Sequence, residues 1–481
     1  VTLSNIEHPF IIIIADGWTK SVFLDLLDSG QLPELDDLLV QPGILLKNVV
    51  SIVPSVSIAS HAAILTGEHQ SAHRIPGHRW LDDSRHPRNY VGPGVRNVNN
   101  DLAPSVRTIY EASDSNVYAV QSIIRRGATR AHTLATMKSG PLIQRAVSIL
   151  QSQQGSSVVL WLPRGDALAH RFGPDAMETR QDMIDTSRAF GSYLRLLGTQ
   201  LDDYRILFVP DHGHRAVHEK VDLRPRLAAL GLSHVTQNPI RGSIHPLATV
   251  IMSSGDSACY IYLPKPTVFE HVFDIARKLA REPSIEIIVS HESAFSANYF
   301  GKCGMARANL VNGSDLQYTV IAGDDPLGIV DRAVSSTVTF HSFQDHSPDL
   351  SQRYPDILRQ TFESWVEGRS GDMLIMASSG YHFGTSPRMA WRLGNHRGSH
   401  GGPLREEVTV AAIARGMNSS IDPDAPVHSS DLVERLMSPH LQLDSGRRVA
   451  GSLIPQEMTG QDDTSGIDDD VESHFGSVDQ I

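Results

Sequence analysis

The chain has 481 residues, 40% hydrophobic and 20% charged, with a formal net charge of −12. That length exceeds one ordinary core, so a large α/β domain with an insertion or second domain is expected. The acidic balance argues against a nucleic-acid sheath, and no apolar stretch reaches transmembrane length.

The first apolar run, Phe10 to Ala15, ends in Asp16-Gly17. Continuous Ile/Val/Leu runs of this kind, bounded by Gly, Pro and Asp, read as strands buried on both faces of a parallel sheet. Pro54-Ser55-Val56-Ser57 is an extended, Pro-led segment, and Ile58 to Leu65 has helical character until Thr66-Gly67 stops it. Ser57 is thus placed at a helix N-terminus, where the macrodipole favours an alkoxide or a phosphate oxygen. Taken alone, Ser57 reads first as an N-cap. Val158 to Leu162 leads through a short turn to Asp166 and His170, four residues apart and on one side of a helical turn. Ile206 to Pro210 ends in Asp211-His212-Gly213, and His400 lies in a Gly-rich loop. Each of these is an ordinary turn or solvated face when taken singly. Jointly they supply three carboxylates and three imidazoles, enough for two metal sites of three protein ligands each. In open parallel sheets such residues collect beyond the carboxyl ends of the strands.

Between Asp211-His212 and His400 lie strand-like Cys259 to Leu263, a helical stretch from Val268 to Arg281, and strand-like Ile285 to Val289 and Gln317 to Ile321. They suggest a small α+β cap inserted in the core, with Asp372 to Ala377 and Val408 to Ile413 returning as core strands. The expected division is a core of residues 1–220 and 346–445, a cap of 221–345, and an acidic tail of 446–481 that lacks any core-forming pattern and reads as disordered. Cys259 and Cys303 fit neither a zinc knuckle nor a redox motif, leaving a disulfide and two free thiols both open. No signal peptide opens the sequence, which favours the cytoplasm, while the start at Val1 leaves a mature exported protein open. Oligomeric state is not legible.

Taken together, Ile-Ile-Ala-Asp16-Gly17, Pro-Ser-Val-Ser57 followed by Ser60-His61, Asp166-Ala-Leu-Ala-His170, Pro-Asp211-His212-Gly213 and Gly-Ser-His400-Gly resemble the alkaline phosphatase superfamily. Within it they resemble the nucleotide pyrophosphatase/phosphodiesterase group and its phosphonoacetate hydrolase relatives. The resemblance implies a doubly wound, mostly parallel sheet flanked by helices, with a substrate-selecting cap. It further implies that Asp16, Asp211, His212 and the Ser57 oxygen hold one divalent metal, and that Asp166, His170 and His400 hold the other. Zinc suits these ligand types, and manganese and iron are compatible with them. Ser57 is then the nucleophile of a covalent two-metal displacement. Counting from Ser57, His78 falls where the phosphodiesterases present an Asn to a phosphoryl oxygen. Arg126, beside Arg125 and Arg130, falls near the lysines of phosphonoacetate hydrolases and is the candidate clamp for a second anionic group.

The reading is a metal-dependent phosphodiesterase or nucleotide pyrophosphatase acting on a small-molecule phosphoester. Alternatives are a phosphonate C–P hydrolase, a phosphomonoesterase, a phosphomutase and a catalytically silent binding protein. A sulfatase is disfavoured because its nucleophile-maturing segment is absent around Ser57.

Overall fold

A computed structural model describes residues 3–437 apart from 241, 313–314, 331–334, 342–347, 385–395 and 417–421. The acidic tail of 446–481 lies outside the described residues.

The strand Phe10–Ala15 is the spine of an eight-stranded sheet. On one side it pairs in parallel with Ser157–Leu162, followed by Val117–Val120 and Arg130–His132. On the other side it pairs in parallel with Arg205–Val209, then comes the antiparallel Thr409–Arg415, and beyond it Gly43–Val50 and Val427–His428, which pair in parallel with each other. The isoleucine run forms a strand because both faces are covered. Phe10, Ile12 and Ile14 enter one core, and Ile11, Ile13 and Ala15 enter another. Each such isoleucine contributes up to about 3 kcal/mol by leaving water, an upper bound because unfolded chains are already partly collapsed. Helices Lys20–Asp28, Ser139–Ser152 and Met177–Tyr193 cover the second core, and helix Ser57–Thr66 lies on the first. The fold is therefore the expected α/β sheet flanked by helices.

A second sheet has nine strands, in the order Thr236–Gln237, Val250–Ser254, Ala258–Tyr262, Met373–Ala377, Ile285–Ser293, Ser296–Phe300, Gly304–Val311, Asp315–Gly323 and Thr337–Phe340. Its helix Phe269–Leu279 packs on one face with Ile261, Ile288 and Ile375, while Met252, Tyr260, Leu374 and Met376 on the other face join the core of the first sheet. The expectation that residues 372–377 return to the core sheet is corrected here. Met373–Ala377 lies between Ala258–Tyr262 and Ile285–Ser293. Its five residues are all buried, as in a central strand of either sheet, so the apolar pattern alone does not choose between them.

Cys259 is buried, Cys303 is exposed, and both are free thiols. Among the described residues no helix is long and apolar enough to cross a membrane.

Candidate metal centre and active site

Register brings the site together. Ala15 pairs with Leu162 and Ile14 with Val209, so Asp16, Asp166 and Asp211 emerge at the same carboxyl edge of the sheet. Asp166 and His170 ride the helix Arg164–Phe172 that starts just past Leu162. His400 arrives from far away in sequence through a short strand: Gly398 and Ser399 pair with Ala216 and Arg215, immediately after Asp211-His212. A buried Arg215–Glu407 ion pair at 3.1 Å ties this return segment down. Gly17 makes the turn after the first strand at φ 70°, and its N–H donates to Asp211 Oδ1 at 3.1 Å.

Ser57 is the first residue of its helix, and the capping position belongs to Val56. The N-cap alternative therefore does not describe this serine. Its Oγ instead stands 3.4 Å from Asp16 Oδ1 and 3.2 Å from His212 Nε2.

The three imidazoles share one arrangement. His212 Nδ1 lies 3.2 Å from Gly213 O, His170 Nδ1 lies 3.0 Å from Gly398 O, and His400 Nδ1 lies 2.7 Å from Ser55 O. A carbonyl only accepts, so each Nδ1 carries the proton and each Nε2 keeps a lone pair. Those lone pairs face carboxylates: His212 Nε2 is 3.5 Å from Asp16 Oδ1 and 3.6 Å from Asp211 Oδ2, and the Nε2 atoms of His170 and His400 are each 3.4 Å from Asp166 Oδ1. These gaps are long for hydrogen bonds. They match the edge of a tetrahedron of ligands about 2.1 Å from a central cation, roughly 3.4 Å.

Asp211 fits the same description. Its Oδ1 accepts from the N–H groups of Gly17 and His212, while its buried Oδ2 has no well-aligned hydrogen bond, with His61 Nε2 beside it at 3.3 Å. One ligand atom each from Asp16, Asp211 and His212 lies within 4.8 Å of the others, a group able to hold a metal ion. Asp166, His212, His214 and His400 form a second such group, which shares His212 with the first and contains His214 where His170 was expected. The residues present thus fit a pair of bound cations.

Electrostatics agree. Burial, then repulsion from Asp211 and Asp166, holds Asp16 well above the usual carboxylate range, although Trp161 Nε1 donates to it at 2.8 Å. Burial also opposes ionisation of Asp166, but His170, His214 and His400 outweigh it and hold the group well below its usual value. Burial, followed by His212, keeps His400 well below the ordinary imidazole value, and thus in its neutral, ligating form. A cation between the carboxylates relieves the repulsion that raises Asp16.

His78 lies beside the cluster, its ring 6.4 Å from that of His400 and its main-chain N–H donating to Ser254 Oγ. Burial, then the charge of Arg79, pushes it down to about 3, so it is a neutral imidazole. The expectation for Arg126 is corrected. Its Nε and Nη2 donate to Glu111, its Nη1 to the carbonyls of Leu102 and Ala103, and its Nη2 also to Val106 O. All five donors are taken, so Arg126 locks the Thr108–Glu111 capping box to the preceding loop rather than offering a fork to a ligand.

Four residues near the centre were not marked by the sequence reading as members of it. His214 Nε2 sits 2.9 Å from Asp166 Oδ1, and the Asp-His-Gly-His run was its only signal. Trp161 is a polar-tipped residue inside an apolar strand. His61 Nε2 lies 3.3 Å from Asp211 Oδ2, one helical turn after Ser57. Asp256 bridges to His400 from the second sheet and had no legible signal.

The family model for type I phosphodiesterase / nucleotide pyrophosphatase matches residues 10–403. The chain belongs to that family, and with it to the alkaline phosphatase superfamily. Murine ectonucleotide pyrophosphatase/phosphodiesterase 5 is similar in structure at 12% identity and a TM-score of 0.54, over 90% of this chain and 97% of that one. Its human counterpart gives 12% and 0.57 over 88% and 92%. Phosphonoacetate hydrolase from Sinorhizobium meliloti 1021, in complex with phosphonoacetate, gives 16% and 0.56 over 90% and 98%. At these identities the likeness establishes the fold. No curated protein matches the chain.

Proposed function

We propose that this family member is a two-metal phosphodiesterase or nucleotide pyrophosphatase with Ser57 as its nucleophile. One observation carries the reading: three imidazoles with Nδ1 on main-chain carbonyls turn their Nε2 lone pairs toward three carboxylates, at ligand-edge spacing beside a serine oxygen. Asp16, Asp211, His212 and Ser57 would hold one divalent cation, and Asp166, His170 and His400 the other, with zinc the best match to the donors. When bound, such a pair acidifies the hydroxyl and neutralises the departing oxygen.

The protein's own groups do the rest. Ser57 Oγ gives its proton to solvent and forms a bond to phosphorus while the bond to the leaving oxygen breaks. Water then attacks phosphorus and releases Ser57. The N-terminus of helix Ser57–Thr66 favours the negative charge that gathers there. His78, neutral at working pH, donates to a non-bridging phosphoryl oxygen. With Arg126 committed to Glu111 and main-chain carbonyls, it offers no fork to a phosphonate's carboxylate, in keeping with the diester. A structure of the murine relative, an inactive variant, is in complex with AMP, a phosphomonoester of the kind that hydrolysis of a nucleotide diester would release.

Parallel turnover of an aryl phosphodiester, an aryl phosphomonoester and phosphonoacetate, with zinc or manganese added, tests the reading. The diester should be hydrolysed fastest and chelation should abolish turnover. No hydrolysis of any substrate by reconstituted protein would refute it.

A further inference from the structure

A third set of donors abuts the proposed centre. Ligand atoms of His170, Asp256 and His396 lie within 4.8 Å of one another. Asp256 Oδ2 and His396 Nδ1 stand 2.9 Å apart, with their side chains 6% and 8% exposed. His396 Nδ1 faces the Asp256 carboxylate without a well-aligned hydrogen bond, so the two can act as adjoining ligand atoms. His382 stacks on His396 with ring centres 5.6 Å apart, and its own buried Nδ1 also lacks a partner. Asp256 reaches this place from a tight turn of the second sheet, at φ 57° and bridged to His400. Buried imidazoles grouped around a carboxylate suit a divalent transition metal.

His170 belongs to this set and, 3.4 Å from Asp166 Oδ1, is also assigned to the proposed catalytic centre, and its chemistry limits both. Its Nδ1 is committed to Gly398 O at 3.0 Å, leaving one lone pair on Nε2. One lone pair serves one ion. We propose that Asp256, His396 and His170 form an alternative seat for the divalent ion whose catalytic seat is Asp166, His170 and His400, the two seats excluding each other. The ion would be held within the protein when its catalytic ligands are disturbed, with His170 as the shared hinge. This rests on the two-metal reading of the active site.

The test counts metal in the full chain, reconstituted with zinc, freed of excess and analysed for zinc per chain, with folding checked by circular dichroism. Wild type should hold two ions. His400→Ala and, independently, the near-isosteric Asp166→Asn should also hold two, because the ion moves to the alternative seat. The double variants His400→Ala/Asp256→Asn and Asp166→Asn/Asp256→Asn should each hold one. In cobalt-loaded protein the visible spectrum of His400→Ala should differ from that of wild type, with the difference abolished by adding Asp256→Asn. If wild type holds two and both single variants hold one, there is no alternative seat and the two-metal reading survives. Three ions in wild type would show independent seats and overturn the exclusion. Fewer than two in wild type would overturn both readings.

Discussion

Replacing Ser57 by Ala separates chemistry from architecture, because the structure assigns this side chain almost no structural work. Val56, not Ser57, occupies the capping position, so the loss of about 1 kcal/mol typical of a removed cap is not expected. What is lost in the folded protein is a pair of long contacts, 3.4 Å to Asp16 and 3.2 Å to His212, together worth at most about 1 kcal/mol. Removing a covalent nucleophile, by contrast, lowers turnover by roughly four to six orders of magnitude, or about 5–8 kcal/mol of barrier. Metal content should fall little, since Asp16, Asp211 and His212 remain. The assay is kcat/KM on an aryl phosphodiester beside urea unfolding and elemental analysis of the same preparation. A variant with turnover within tenfold of wild type would refute the reasoning and leave a metal-bound hydroxide as the attacker.

Gly17→Ala should disable the centre from outside it: at φ 70° a Cβ meets Asp166 Cα at 2.8 Å and His214 Nε2 at 2.9 Å. Strain and overpacking together should cost about 2–5 kcal/mol, read by thermal unfolding, with metal affinity falling as Asp166 is displaced. Arg126→Met should lower stability by roughly 2 kcal/mol while KM stays within twofold, because Arg126 holds protein groups and not substrate; a selective rise in KM would restore the clamp. Glu363, far from the metal ligands in sequence, is predicted to set acid stability. Burial opposes its ionisation, but Arg359 and His69 outweigh that and hold it at about 2 against 4.5 when unfolded. Its folded value is depressed, so its contribution, about 3 kcal/mol, is present above pH 4.5 and is lost as pH falls toward 2. Glu363→Gln should therefore be clearly less stable than wild type in urea at neutral pH, with the gap narrowing to about 1 kcal/mol near pH 3; a gap independent of pH would contradict this.

Strands buried on both faces were legible as strands, though not always as members of a given sheet. The Phe10–Ala15, Ser157–Leu162 and Arg205–Val209 strands stand out as unbroken apolar runs, and parallel pairing puts the residues that follow them at one edge. The same rule could not place Met373–Ala377, because central strands of two different sheets carry the same pattern. Asp16, Asp166, Asp211 and His212 were legible because each closely follows a strand. Asp256 and His396 were not, since a turn of the second sheet and the segment leading into residue 398 come near His170 only through tertiary pairing. Arg126 misled for a related reason. A basic residue after a strand has the same sequence signature whether its donors meet a ligand or, as here, Glu111 and three carbonyls.

The central claim is that Ser57 itself attacks phosphorus. Zinc-loaded protein mixed with an excess of aryl phosphodiester, quenched in acid during turnover and digested for peptide mass spectrometry, tests it directly. The account predicts a phosphoryl-ester adduct on the peptide carrying Ser57, formed with a burst of phenolate release and absent from Ser57→Ala. Rapid turnover with neither burst nor adduct, and with the same rate in Ser57→Ala, would contradict it.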